Sequence, residues 1–240
     1  MSGHSKWANI KRKKAVVDAQ RGQAFSKLAR EITVAARQGG GNPDANYRLK
    51  AALAKAKEYN LPQDNIERAI QRGVGVGGEG AIEEIVYEGY GPGGAAILLD
   101  CISENRNRTA GEVRHLLSRH GGRLGEAGSV VWQFDTKAVV RLTANPDQVM
   151  DAVLEAGAED LEEDGDDLVV LGPPEALQRL SETLTSLGVA VLSAGLERVP
   201  RVEVDLSAED QASLLLLMER LEELDDVQAV WTNAKLGAET

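Results

Sequence analysis

The feature that most constrains the fold is a change of hydrophobic period at a glycine-rich break, Gly73–Gly80, with five glycines in eight residues. Before it, apolar residues recur every three or four positions. After it, they alternate or form short unbroken runs. A chain with both periods must bury helical stripes and at least one sheet face. The fold class expected is α+β: an N-terminal three-helix bundle, a discontinuous α/β domain and an inserted ferredoxin-like βαββαβ domain. The 240 residues suffice for two or three small domains. A hydrophobic fraction of 42% is too high for a disordered chain. The longest apolar runs, Ala95–Leu99 and Leu214–Met218, hold five residues each, far short of the ~18 that a spanning helix needs.

In Gln23–Gln38, residues Phe25, Leu28, Ala29, Ile32 and Ala36 form one stripe, and Gly39-Gly40-Gly41 stops the helix. Asn42-Pro43-Asp44 starts a second helix, in which Leu49, Ala52, Leu53 and Ala56 point inward. Pro62 opens a third, with Ile66, Ala69 and Ile70 inward and an end at Arg72-Gly73. Residues 1–80 therefore read as a helical domain with 73–80 as its hinge. The hinge also contains a formal G-x-G-x-x-G match at Gly73, Gly75 and Gly78. A helix precedes it and a strand follows, the reverse of a dinucleotide-binding turn.

Beyond the hinge, Ile85–Tyr90 and Ala95–Ser103 read as strands around the turn Gly91-Pro92-Gly93-Gly94. Thr109 and Glu112 suggest a capping box for a helix with Val113, Leu116 and Leu117 inward. Strands are expected at Ser129–Phe134, Arg201–Leu206 and Val227–Trp231, and Ser207 is expected to cap a leucine-rich helix. Between them, 135–200 follow the order β-α-β-β-α-β. The ends of such a unit lie close together, so it can be inserted into another domain. The middle domain is accordingly read as 81–134 plus 201–240.

The formal charge of −11 hides an asymmetry. Residues 1–80 hold 15 Lys+Arg against 7 Asp+Glu, a net of +8; residues 81–240 hold 12 against 31, a net of −19. A basic segment suits a polyanion, and the acidic remainder is repelled by one. Segment 135–200 holds 4 basic and 14 acidic side chains and no aromatic. Its sheet lacks the aromatics on which RNA-recognition domains stack bases, which favours a structural, dimerising or protein-facing role.

The densest cationic signal is Lys11-Arg12-Lys13-Lys14, preceded by His4, Lys6 and Trp7 and followed by Arg21. Adjacent cations gain by binding a dense anion and releasing its counterions. His4 and Trp7 offer stacking surfaces, although Trp7 equally suits an anchor on the bundle. Lys27, Arg30 and Arg37 project from the first helix, and Arg48 with Lys55 and Lys50 with Lys57 form two basic rows on the second. Arg106 and Arg108 precede the later helix, where guanidiniums and helical N–H groups suit phosphate. A local salt-bridge network with Glu104 and Glu112 accounts for them equally well.

The chemistry of catalysis is less well represented. The lone Cys101 lies in an apolar run and reads as a core residue. His115 and His120 are five apart, on different helix faces, without a third ligand. Asp164, Asp166 and Asp167 read as a solvated turn rather than a metal site. No catalytic, metal or cofactor-binding residues are assigned. With no apolar leader in the first residues and one cysteine, a cytoplasmic location is expected.

The blocks Gly3–Lys11, Arg30–Arg37, Pro62–Ile70, Tyr87–Gly94, Asn105–Thr109 and Gly128–Val130 resemble the YebC/PmpR family. Tyr47 and Gln23 depart from its pattern, standing where proline and lysine are expected. The resemblance implies a three-domain cytoplasmic protein, with bacterial members described as probable transcriptional regulators that bind DNA. It also points to a mitochondrial translational activator of cytochrome c oxidase, and to ribosome-associated factors relieving stalling at proline-rich stretches. It brings no established catalytic residue or cofactor. The partners implied are DNA, or ribosomal RNA on the ribosome, with a possible protein partner on the acidic domains. A metal-dependent nuclease is a more distant alternative, and the oligomeric state is left open.

Overall fold

The structure, a computed structural model, describes residues 19–75 and 82–236, with residues 19–21 described by backbone only. Three helices come first: α1 (Ala19–Gly39), α2 (Tyr47–Glu58) and α3 (Gln63–Gly73). Their stripes meet as the periodicity predicts. Leu28, Ile32, Ala35 and Ala36 of α1, Leu49, Ala52 and Ala56 of α2, and Ile66 and Ala69 of α3 form one buried cluster. Asn46, not the Asn42-Pro43-Asp44 turn, caps α2: its carboxamide oxygen accepts from the Leu49 N–H, and its NH₂ donates to the carbonyls of Ala35 and Gly40. Gly73 ends α3 buried against α1. A Cβ there would collide with the Thr33 carbonyl and the Ala36 methyl, so this glycine permits close helix approach. The rest of the expected hinge, 76–80, lies outside the described residues.

The chain continues through β1 (Glu83–Tyr90), β2 (Ala96–Ser103), α4 (Arg106–Arg119) and β3 (Arg123–Leu124). After the inserted unit it returns as α7 (Ala208–Glu222) and β8 (Val227–Thr232). These strands make a sheet in the order β3-β1-β2-β8, with β1 antiparallel to β2 and β3. Gly93 and Gly94 take positive φ in the turn between β1 and β2, a region that favours glycine. Val34 of α1 packs with Ile82 and Ile102, so the helices and this sheet share apolar contact. They also belong to one compact unit, 14–131 plus 206–231.

The second compact unit contains 132–205. Its elements are β4 (Phe134–Thr143), α5 (Pro146–Glu155), β5 (Asp160–Asp164), β6 (Asp167–Gly172), α6 (Leu177–Ser186) and β7 (Ala190–Pro200). The sheet order β5-β6-β4-β7 is antiparallel throughout, the arrangement of a ferredoxin-like unit. Ala138, Val140 and Leu142 of β4 alternate toward Val149 and Val153 of α5 and Leu180 and Leu184 of α6.

Three local expectations differ. Ser129–Phe134 is not a strand: Val131–Gln133 is a 3-10 turn, and the strand starts at Phe134. Arg201–Leu206 contributes only an isolated bridge, Val204 to Ala234. Helix α4 is capped by Asn105, whose side chain accepts from the Arg108 N–H. Thr109 lies buried inside the helix, and Arg106 and Arg108 occupy its first turn rather than preceding it. Ser207 caps α7 as expected.

Candidate nucleic-acid interface

Apart from Arg108, the predicted site residues fall into three groups. His4, Lys6, Trp7, Lys11, Arg12, Lys13 and Lys14 lie outside the described residues, and Arg21 is described by backbone only. A second group has internal partners. On α1, Lys27 donates to the Glu222 carbonyl, Arg30 to the Asp225 carbonyl and Gln23 to the Glu223 carbonyl. These acceptors lie at and just beyond the C-terminus of α7, where helical carbonyls lack intrahelical donors and the macrodipole is negative. The basic face of α1 therefore caps α7. Arg37 donates to the Ile82 carbonyl. Arg48 bridges Glu84 and the Gln38 side chain, and Lys55 lies 3.6 Å from Glu31.

The third group is Lys50, Lys57 and Arg106, which are exposed. Their side chains make no hydrogen bond or ion pair among the described residues. The division is one of degree. Arg48 and Glu84 are each 41% exposed, and such surface pairs contribute only ~0–1 kcal/mol. A dense polyanion can compete for them.

Arg30 and Arg108 differ because they share a buried acid. Asp226, 2% exposed, follows α7. Its Oδ2 accepts from Thr109 Oγ1 at 2.6 Å, Arg108 Nη2 at 2.7 Å and Ser103 Oγ at 3.2 Å. Its Oδ1 lies 3.3 Å from Arg30 Nη2. Burial disfavours its charge, but the Thr109 and Arg108 hydrogen bonds and the two guanidinium charges outweigh this and hold the carboxyl below its ordinary range. The same interactions raise the Arg108 guanidinium, chiefly through its hydrogen bond to Asp226.

Glu88 of β1 is a second buried carboxylate. It accepts the backbone N–H groups of Gly128, Val130 and Val131. Burial opposes its charge, and these amides more than compensate, lowering its pKa. The motifs Tyr87–Gly94 and Gly128–Val130, forty residues apart in sequence, are thus parts of one construction. Cys101 is a buried thiol pushed up to about 12 by desolvation and, secondarily, by Asp100 and Asp226, which suits a core residue rather than a nucleophile.

Sequence reasoning missed a groove between α1 and α3. It is lined by Arg30, Arg68, Arg72, Asn65, Ser26 and Glu104, among others. Arg68 and Arg72 are one helical turn apart, yet their juxtaposition with Arg30 depends on how the helices pack. Arg123 stacks over the Tyr90 ring at 4.8 Å. Asp164 and Asp167 face one another across the β5–β6 hairpin, and Thr143 donates to Asp167. Among the described residues, no group of three or more His, Cys, Asp or Glu side chains is placed to hold a metal ion.

Comparison with known proteins places this geometry in a family. Residues 5–76 match the model of the TACO1/YebC protein N-terminal domain, and 82–234 match the TACO1/YebC second and third domain. A relative from Desulforamulus reducens, named a probable transcriptional regulatory protein, is 52% identical over 97% of this chain and 98% of its own. One of the same name from Carboxydothermus hydrogenoformans is 49% identical over 98% and 99%. The crystal structure of a conserved hypothetical protein from Aquifex aeolicus matches with a TM-score of 0.86 and 41% identity, covering 94% of this chain and 95% of that one. Full-length relatives, both family models and the shared fold agree: the chain belongs to the TACO1/YebC family.

Proposed function

We propose that the protein is a nucleic-acid-binding regulator whose helical N-terminal domain grips phosphates while its acidic domains face solvent or a protein partner. The observation that carries this reading is the segregation of charge, +8 in residues 1–80 against −10 in 135–200. The repulsion this creates orients the molecule on a polyanion with its basic end inward. The names of the relatives support a regulatory role in transcription, and DNA is the first target considered. The division proposed is 1–80, 81–134 plus 201–240, and 135–200.

A second reading, binding to ribosomal or transfer RNA on the ribosome, is favoured by the side chains on α2. Its exposed Lys50 and Lys57 lie in one row and make no ion pair among the described residues; they are point charges that neutralise phosphate without reading base edges. Structured RNA suits such a surface at least as well as a promoter does.

Co-sedimentation with ribosomes, compared with binding to promoter and random duplex DNA at matched salt, tests both. Preference for one promoter with no ribosome association supports the transcriptional reading. Ribosome association without duplex preference supports the translational one. Binding to neither overturns the proposal. For the nuclease alternative, labelled branched DNA incubated with Mg²⁺ or Mn²⁺ is the test, and intact substrate removes it.

A further inference from the structure

We propose that the groove between α1 and α3 seats one phosphate of a bound nucleic-acid strand, with Glu104 occupying the seat as an internal anion until the phosphate displaces it. This deepens the nucleic-acid reading and rests on it for the identity of the strand. The groove is a shallow one open to solvent, with room for about 320 Å³. That is more than a bare phosphate requires and leaves room for the attached sugar.

Arg30, Arg68 and Arg72 line it, and the first two are held by partners that the ligand would not displace. Arg30 is fixed by the Asp225 carbonyl and by Asp226. Arg68 is fixed by the Asp64 carbonyl at 3.1 Å and Asn65 Oδ1 at 2.9 Å, through Nε and Nη2. Its Nη1 makes no hydrogen bond among the described residues. Arg72 is fixed by Glu104, Nη2 to Oε1 at 2.9 Å, and its buried Nε has no hydrogen-bond partner. The Arg30 and Arg68 guanidiniums, immobilised before the ligand arrives, lose little entropy on binding it. Their planar forks suit the oxygens of a phosphate. Ser26 and Asn65 supply neutral polar groups for sugar hydroxyls.

Glu104 makes the seat self-occupied. It is 43% exposed and pairs with an arginine that is 31% exposed, so the pair is weak and readily exchanged. A phosphate would take its place on Arg72 Nη2 and draw on the unused Nη1 of Arg68. The internal carboxylate gives the proposal a distinctive sign: removing an acid from the groove must strengthen ligand binding, and removing Arg68 must weaken it.

The experiment is amide chemical-shift titration of the full-length protein with inorganic phosphate, adenosine 5′-monophosphate and adenosine, on wild type, Arg68→Ala and Glu104→Gln. Both substitutions are at exposed positions, and each variant's own amide spectrum reports that it is folded. Phosphate and the monophosphate are expected to shift amides of Ser26, Asn65 and Arg72, and adenosine is not. Arg68→Ala should weaken the monophosphate about tenfold, and Glu104→Gln should tighten it by about threefold. Shifts equal for adenosine and its monophosphate, or affinities unchanged in both variants, overturn the seat. If phosphate titrates the groove as described while the protein binds neither RNA nor DNA, the seat stands and the functional reading falls.

Discussion

The two sheets handle charge in contrasting ways. The ferredoxin-like sheet buries an apolar face of Ala138, Val140, Leu142, Leu168 and Val170 against two helices. Its buried charge, Arg141, is matched by Glu197 on the strand alongside. The sheet of β1, β2, β3 and β8 buries two carboxylates, Glu88 and Asp226. Each draws its hydrogen bonds from remote segments: Asp226 Oδ2 from Thr109, 117 positions away, and Glu88 from amides 40 to 43 positions away. One unit is specified mainly by pattern, the other also by anions that gather distant donors.

Asp226→Ala should have the largest effect. It strips Arg30 and Arg108 of their shared acid, and a loss of about 3 kcal/mol in urea unfolding is expected. A change under about 0.5 kcal/mol would mean that the anion does not organise the unit.

The next largest is a pH effect. The folded pKa values of Asp226 and Glu88 lie below their ordinary values. Their stabilisation is fully present above the unfolded pKa of about 4 and is lost as pH falls through the folded values. Acid should therefore weaken unit 14–131 plus 206–231 before the ferredoxin-like unit. Hydrogen exchange read separately on β2 and β6 checks this, and equal acid sensitivity would erase the contrast.

Glu88→Gln should cost about 2 kcal/mol, because an amide oxygen cannot replace a carboxylate at three backbone donors. Faster exchange at Gly128, Val130 and Val131 would mark it. Gly73→Ala, which forces a methyl against α1, should cost about 1–2 kcal/mol, measured by thermal unfolding.

What is legible in the sequence follows the same contrast. The helical stripes and the βαββαβ order can be read because period reports local geometry. The Ser129–Phe134 segment misleads because its conformation answers to Glu88, which pattern does not connect to it. Thr109 has the spacing of a capping residue, but its hydroxyl is claimed by Asp226. Lys27 and Arg30 have the look of phosphate ligands, and their carbonyl acceptors, 195 residues on, leave no local signal. The Arg68–Arg72 groove is invisible in the sequence for a similar reason: it exists only when α3 packs on α1.

The central claim is that the N-terminal cations hold phosphates, and salt dependence tests it most directly. Binding of ribosomal RNA and of duplex DNA should be followed across salt concentrations for wild type and for a variant with Lys11, Arg12, Lys13 and Lys14 changed to Glu. The account predicts that the slope of log affinity against log salt falls by about 0.7–0.9 for each phosphate the variant no longer neutralises. An unchanged slope would contradict it.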